Sequence, residues 1–140
     1  MNGKYFIDTN IFVYSFDNTQ PAKQERSLAL IQAGMQSGQG IISTQVIQEF
    51  LNVATRKFAA PMKPEDAKAY LKLVMNPLCQ VYPDLSLYES CLSIQAEMGY
   101  SFYDSLIIAA AIRGACGILY SEDLSAGQNI HGVKVVNPFR

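Results

Sequence analysis

Lys4-Tyr-Phe-Ile-Asp8-Thr-Asn10-Ile-Phe-Val-Tyr14 decides the fold. Lys4–Ile7 reads as a buried strand, short and apolar. Ile11–Phe16 reads as a short helical or turn segment. Between them a carboxylate, Asp8, ends the strand. The same alternation continues along the chain. Pro21 opens a helix to about Ser37, with Gly38 and Gly40 punctuating its end. Gly40–Ile42 is a brief strand. Ser43 and Thr44 can cap the next helix, where Ile47, Phe50, Leu51, Val53, Ala54 and Phe58 follow a helical period. Pro64-Glu65-Asp66 starts another helix, which Pro77 is expected to stop. Cys79–Tyr82 fits a strand. Ser86 to Glu89 has the pattern of a capping box. Tyr103–Arg113 is nearly all apolar, hence a helix buried on several sides. Gly117–Tyr120 and Val133–Val136 complete the strands. Strands separated by helices mean an α/β fold with a central, mainly parallel sheet, and ligands of such sheets bind beyond the carboxyl ends of the strands.

The composition agrees with one domain over residues 1–140. With 49% apolar and 16% charged residues, the chain can bury enough surface to offset ordering entropy, which excludes disorder as the main state. The longest strongly apolar run, Leu106–Ile112, is far short of the ~20 residues of a membrane span. Met1–Asp8 lacks the apolar run and cleavage site of a signal peptide. Eleven basic against twelve acidic residues argue against charge-driven nucleic-acid binding over a broadly basic surface. Cys79, Cys91 and Cys116 form no C-x-x-C and read as reduced core thiols, consistent with a cytoplasmic protein.

Most of the acids have structural explanations. Asp17 sits in a loop and Glu25 on a helix surface. Glu65 and Asp66 complement a helix dipole. Asp84, Glu89 and Glu97 belong to helix ends or caps. Asp8, Glu49, Asp104 and the pair Glu122-Asp123 remain. Asp8 and Asp123 follow strands. Glu49 lies at the edge of an apolar stripe, beside Val46 and Val53. Asp104 completes Ser101-Phe-Tyr-Asp104, a capping box that opens the buried helix. Spacing does not say whether Glu122 or Asp123 faces inward; the reading favours Asp123. A doubly wound sheet could bring four such carboxylates to one edge. They would repel, and some would take up protons unless a divalent cation intervened. An all-oxygen donor set suits Mg²⁺ or Mn²⁺ rather than Zn²⁺.

Tyr5-Phe-Ile-Asp8-Thr9-Asn10-Ile-Phe-Val-Tyr14 resembles the opening motif of PIN domains. The resemblance continues in order through Gln45-Val-Ile-Gln-Glu49-Phe, Ser101-Phe-Tyr-Asp104-Ser-Leu-Ile and Ser121-Glu-Asp123. Leu124, Ser125 and Ala126 stand where many members carry a further acid or Asn. The resemblance implies a single PIN-like domain, with a parallel sheet of four or five strands between helices. It implies a metal-dependent nuclease, as in the VapC-like toxins of toxin–antitoxin pairs, and usually a homodimer with an antitoxin partner. Carried over by motif, Asp8, Glu49, Asp104 and Asp123 would be the metal-binding catalytic acids, holding one or two Mg²⁺ or Mn²⁺ ions. Thr9, Asn10 and Ser121 would support them.

The expected reaction is hydrolysis of phosphodiester bonds in RNA. Arg56, Lys57 and Arg113 are candidate contacts to the nucleic acid, and Tyr14, Tyr100 and Tyr103 could stack on bases. His131, in Asn-Ile-His-Gly, reads as a surface turn. The rival reading is a catalytically weak domain that holds nucleic acid or a protein partner without turnover. A phosphatase of the haloacid-dehalogenase type would need Asp-x-Asp after the first strand, where Asp8-Thr-Asn10 stands. A receiver domain would need an acidic pair near the first strand and a better-placed late lysine than Lys134.

Overall fold

The computed structural model describes residues 3–140; Met1 and Asn2, at the head of the stretch read as lacking a signal peptide, lie outside the described residues. Each short apolar run forms a strand. The first is β1 (Tyr5–Ile7), followed by α1 (Thr9–Tyr14) and α2 (Pro21–Ser37). Then come β2 (Gly40–Ser43), α3 (Thr44–Arg56), α4 (Pro64–Tyr70), a π-helical turn (Leu71–Met75), α5 (Asn76–Leu78) and β3 (Cys79–Val81). The chain ends with α6 (Leu85–Met98), α7 (Phe102–Arg113), β4 (Ile118–Tyr120), β5 (Asn129–Ile130) and β6 (Val133–Val136). Among the described residues no helix is long and apolar enough to cross a membrane.

The sheet has the order β3-β2-β1-β4-β6-β5. All neighbours are parallel except β5 and β6. The chain runs from β1 outward through β2 to β3, then returns to β4 on the other side of β1. That reversal makes the β1/β4 boundary the topological switch point, where α1 leaves β1 on one side, the loop after β4 leaves on the other, and a crevice opens between them. Ile7 pairs with Tyr120, so Asp8 emerges beside Ser121. The core gathers Phe6, Ile7, Phe12, Ile42, Phe50, Ile108 and Leu119, all fully buried. Seven residues of α7 in a row, Ser105–Ala111, are buried, as an all-round apolar helix requires. All three cysteines are buried free thiols, and burial raises their pKa values.

Three local expectations are corrected. The sheet has six strands rather than four or five, because β5 adds an antiparallel two-residue strand too short to show any alternation. His131 (φ 52°) and Gly132 (φ 91°) turn it into β6, the positive φ pair of a type I′ hairpin. Pro77 does not stop the helix that Pro64 starts. A proline clashes with the carbonyl four residues back, and the wider π turn just before it relieves that clash. The cap of α6 is Asp84, not Ser86. Its carboxylate accepts from the Leu87 amide at 2.8 Å and also pairs with Arg113 at 3.0 Å, so one acid anchors two helices.

Helix α2 packs on β2 through two glycines. A Cβ on Gly34 would meet the Gly40 Cα at 2.9 Å. Gly34→Ala is expected to cost about 1–3 kcal/mol, since backbone must move to admit the methyl group. Thermal unfolding followed by circular dichroism checks this through a midpoint several degrees lower; a midpoint equal to the parent's would show that α2 can withdraw freely.

Candidate functional site

The crevice at the β1/β4 boundary is a hollow of about 330 Å³. Asp8, Glu49, Asp104 and Asp123 all line it, together with Thr9, Asn10, Gln45 and Asn52. Each acid arrives by a different route. Asp8 leaves β1 extended, and its Oδ1 caps α1 by accepting from the Thr9 amide at 2.7 Å. Glu49 stands on the second turn of α3, on the side that faces α1. Asp104 lies in the first turn of α7, where Ser101 Oγ caps the helix by accepting from the Asp104 amide at 3.1 Å. Asp123 sits in the loop after β4.

The acids are spaced by neutral polar groups. Ser121, fully buried, donates from Oγ to Asp8 Oδ2 at 2.8 Å. Thr9 Oγ1 donates to Glu49 Oε1 at 2.6 Å. Asn10 Nδ2 donates to Asp123 Oδ2 at 2.5 Å. These three are the residues expected to support the acids. Gln45, which the sequence reading passed over, donates from Nε2 to Glu49 Oε2 and to the Tyr103 carbonyl, each at 3.1 Å. Its position one turn before Glu49 was the available signal. Among the described residues the Asp104 carboxylate accepts no hydrogen bond, so its oxygens are free towards the hollow.

Glu122 turns the other way. It accepts from Tyr14 Oη at 2.5 Å and pairs with Lys23 at 2.5 Å, while Lys23 lies 4.7 Å from the centre of the Tyr14 ring. Asn10 and Tyr14, one helical turn apart on α1, therefore grip the consecutive acids Asp123 and Glu122. Burial alone would raise the Glu122 pKa, but the bonds from Lys23 and Tyr14 outweigh it and hold the carboxyl below its ordinary value.

The basic residues are placed differently. Arg113 is spent at the far end of α7, on Asp84 and on Ser86 Oγ at 3.1 Å. Arg56 and Lys57 are exposed at the end of α3, outside the acidic hollow. Of the three tyrosines considered for stacking, Tyr14 is bound to Glu122 and Tyr100 Oη to Gln128, whereas Tyr103 is 64% exposed. His131 forms an exposed pair with Glu97 at 2.8 Å, in the turn expected of it.

The donor chemistry of the hollow fits a hard divalent cation. It offers carboxylate, amide and hydroxyl oxygens and no thiol or imidazole. Among the described residues no three acids stand close enough, as placed, to hold one ion together. Mg²⁺ commonly takes only one or two carboxylates and keeps waters elsewhere, so the oxygen set still suits it. Burial dominates the electrostatics of Asp8. Burial pushes its pKa from 3.8 up to about 6, against the lowering by Ser121 and Thr9, and the charges of Glu49 and Asp123 push the same way.

A family model described as PIN domain matches residues 5–126. No curated protein sequence matches the chain. Among solved structures, VapC20 from Mycobacterium tuberculosis, described as a toxin cleaving the sarcin–ricin loop, superposes with a TM-score of 0.56 and 16% identity over 86% of this chain and 90% of that one. VapBC2 from Rickettsia felis, bound to a DNA fragment from its promoter, gives 0.61 and 14% over 94% and 96%. FitAcB from Neisseria gonorrhoeae gives 0.61 and 18% over 96% and 98%. These likenesses share the fold of this chain.

The raised pKa of Asp8 fixes a sign. Its proton is held more tightly in the folded state, so its contribution to stability is full below pH 3.8 and is lost as pH rises through about 6. Asp8→Asn removes that loss. In chelator, the variant's stability relative to the parent is expected to grow between pH 4 and pH 7 by on the order of 1–3 kcal/mol at most, seen as a growing advantage in melting temperature. Differential scanning fluorimetry across that range reads it; an advantage that does not change with pH would contradict the assignment.

Proposed function

The chain belongs to the PIN-domain family, and from that premise we propose that it is a divalent-metal-dependent ribonuclease acting at the four-carboxylate hollow. The observation that carries this reading is the meeting of Asp8, Glu49, Asp104 and Asp123 around one hollow at the sheet's switch point. Asp8 and Asp104 are the principal ligand candidates: one has a strongly raised pKa, the other free oxygens. Glu49 and Asp123 are the outer acids, able to hold a second ion or orient waters. A bound Mg²⁺ or Mn²⁺ supplies the charge that offsets this crowding, activates water and neutralises the scissile phosphate.

The chain's own groups prepare that chemistry. Ser121 and the Thr9 amide fix both oxygens of Asp8. Thr9 and Gln45 hold Glu49 in one orientation. Asn10 and the Lys23–Glu122–Tyr14 cluster keep Asp123 turned inward. Ile107 and Val53 give the hollow its apolar flank. Exposed Tyr103 offers a face for a base, and Arg56 and Lys57 a small positive patch.

The whole chain, 1–140, is read as one such unit, acting in the cytoplasm. A cognate antitoxin is the proposed protein partner, supported by two structural neighbours that are toxin–antitoxin assemblies. A homodimer is proposed with it, as the family resemblance implies. A second reading is a domain that binds nucleic acid or protein without turnover. The separation of the acids, with no three poised on one point, is the observation on its side.

Cleavage of RNA separates the two. With Mn²⁺ the parent is expected to cleave, and Asp8→Asn and Asp104→Asn, both folded by circular dichroism, are expected to lose at least ~100-fold in rate. Equal rates in parent and variants, or no Mn²⁺-dependent cleavage, would favour the binding domain. RNA affinity, measured by filter binding, is expected to fall with salt at a small slope, since among the described residues no Lys or Arg lines the hollow and the net charge is -1. A steep slope would mean a phosphate-binding surface other than the Arg56–Lys57 patch.

A further inference from the structure

Next to the acidic hollow lies a second, smaller cleft of about 70 Å³, between the start of α3, the end of β3 and the packed pair α6 and α7. Gln45 lines both spaces and forms the wall between them. Two polar atoms of the residues lining this cleft have no partner among the described residues: Ser43 Oγ and Gln45 Oε1. Both side chains are more than nine-tenths buried, Ser43 at 3% and Gln45 at 7% exposed. Ser43 stands at the N-cap of α3, yet its hydroxyl caps nothing. Buried oxygens without a partner are rare, and two on the residues lining one cleft point to a polar guest.

The lining says what kind of guest. Val81, Leu87 and Leu106 make the walls apolar, and no charged side chain lines the cleft. An anion drawn to the α3 N-terminus would meet Gln45 Oε1, an acceptor that repels it. The Gln45 amide nitrogen is already committed to Glu49 and the Tyr103 carbonyl, so the oxygen cannot be exchanged for a donor. Both oxygens are closed off as placed, so a guest must shift these side chains slightly; a neutral, flat group with an N–H edge then satisfies both, since the Ser43 hydroxyl can donate or accept. Tyr88, 38% exposed at the same cleft, offers a ring to stack on. We propose that this cleft binds a single-ring nucleobase, a pyrimidine of the RNA strand beside the scissile phosphate, and so sets base preference. The proposal rests on the ribonuclease reading for its substrate.

Nuclear magnetic resonance of the ¹⁵N-labelled parent in chelator tests the cleft without catalysis. UMP and CMP, at millimolar concentration, are expected to shift the amides of Ser43, Thr44 and Gln45 saturably. Ser43→Ala is expected to weaken that binding roughly three- to ten-fold, the loss of one hydrogen bond, while Asp104→Asn leaves it unchanged. Ser43→Ala removes an unpartnered hydroxyl and should fold; Tyr88→Ala, at the surface, is the second variant and weakens binding too. No saturable shift, meaning ordered water only, would overturn the proposal. So would the same shifts with inorganic phosphate, or equal binding of AMP and GMP. On short RNAs with Mn²⁺, Ser43→Ala is then expected to lower the pyrimidine-to-purine ratio of kcat/KM at one position without changing Mn²⁺ affinity; an unchanged ratio counts against the cleft. If the parent cleaves no RNA, the nuclease reading fails, while the titration still decides what the cleft binds.

Discussion

Carboxylates gathered around one hollow at the mouth of a buried sheet are the constraint around which the rest of the molecule is arranged. Asp8 follows directly on a fully buried Ile7, and burial first, then the charges of Glu49 and Asp123, push its pKa up to about 6. Charges in such a place must be paired, hydrogen-bonded or met by a cation. Among the described residues no Lys or Arg lines the hollow. Hydroxyl and amide donors hold the acids instead, which leaves their negative charge uncompensated. The protein accepts a local cost in stability there, which a doubly charged ion at the proposed site would relieve.

The fold supplies the crowding. Parallel β1 and β4 end side by side, and the chain leaves them in opposite directions, so both strand ends open into one crevice. Helix α1 is short, but it works at both ends of the arrangement. Its cap is Asp8, and Asn10 and Tyr14 control the loop after β4 from one face. The buried helix α7 brings Asp104 in from the other side. Four remote stretches of chain are thus held by packing that was needed for the core in any case.

Much of this was legible in the sequence, and the reasons are physical. Asp8 announced itself because an apolar strand ends at a carboxylate. Asp104 could be read because Ser101 caps a helix too apolar to lie anywhere but the interior. The parallel sheet followed from strands spaced by helices. Other features left no trace in periodicity. Glu122 and Asp123 are neighbours in a loop, where no repeat says which points inward; contacts with Lys23, ninety-nine residues away, and Tyr14 decide it. The role of Gln45 depends on a carbonyl of Tyr103, fifty-eight residues distant. Arg113 looked available on a helix end, yet Asp84 claims it. Pro77 looked like a stop, and a π turn absorbed it.

The most direct measurement is anomalous diffraction from a crystal of the parent protein soaked in Mn²⁺. The account predicts a peak in the hollow between the carboxylates of Asp8 and Asp104, with Glu49 and Asp123 around it. A map with no peak there, or with Mn²⁺ bound only at surface acids such as Glu65 and Asp66, would contradict it.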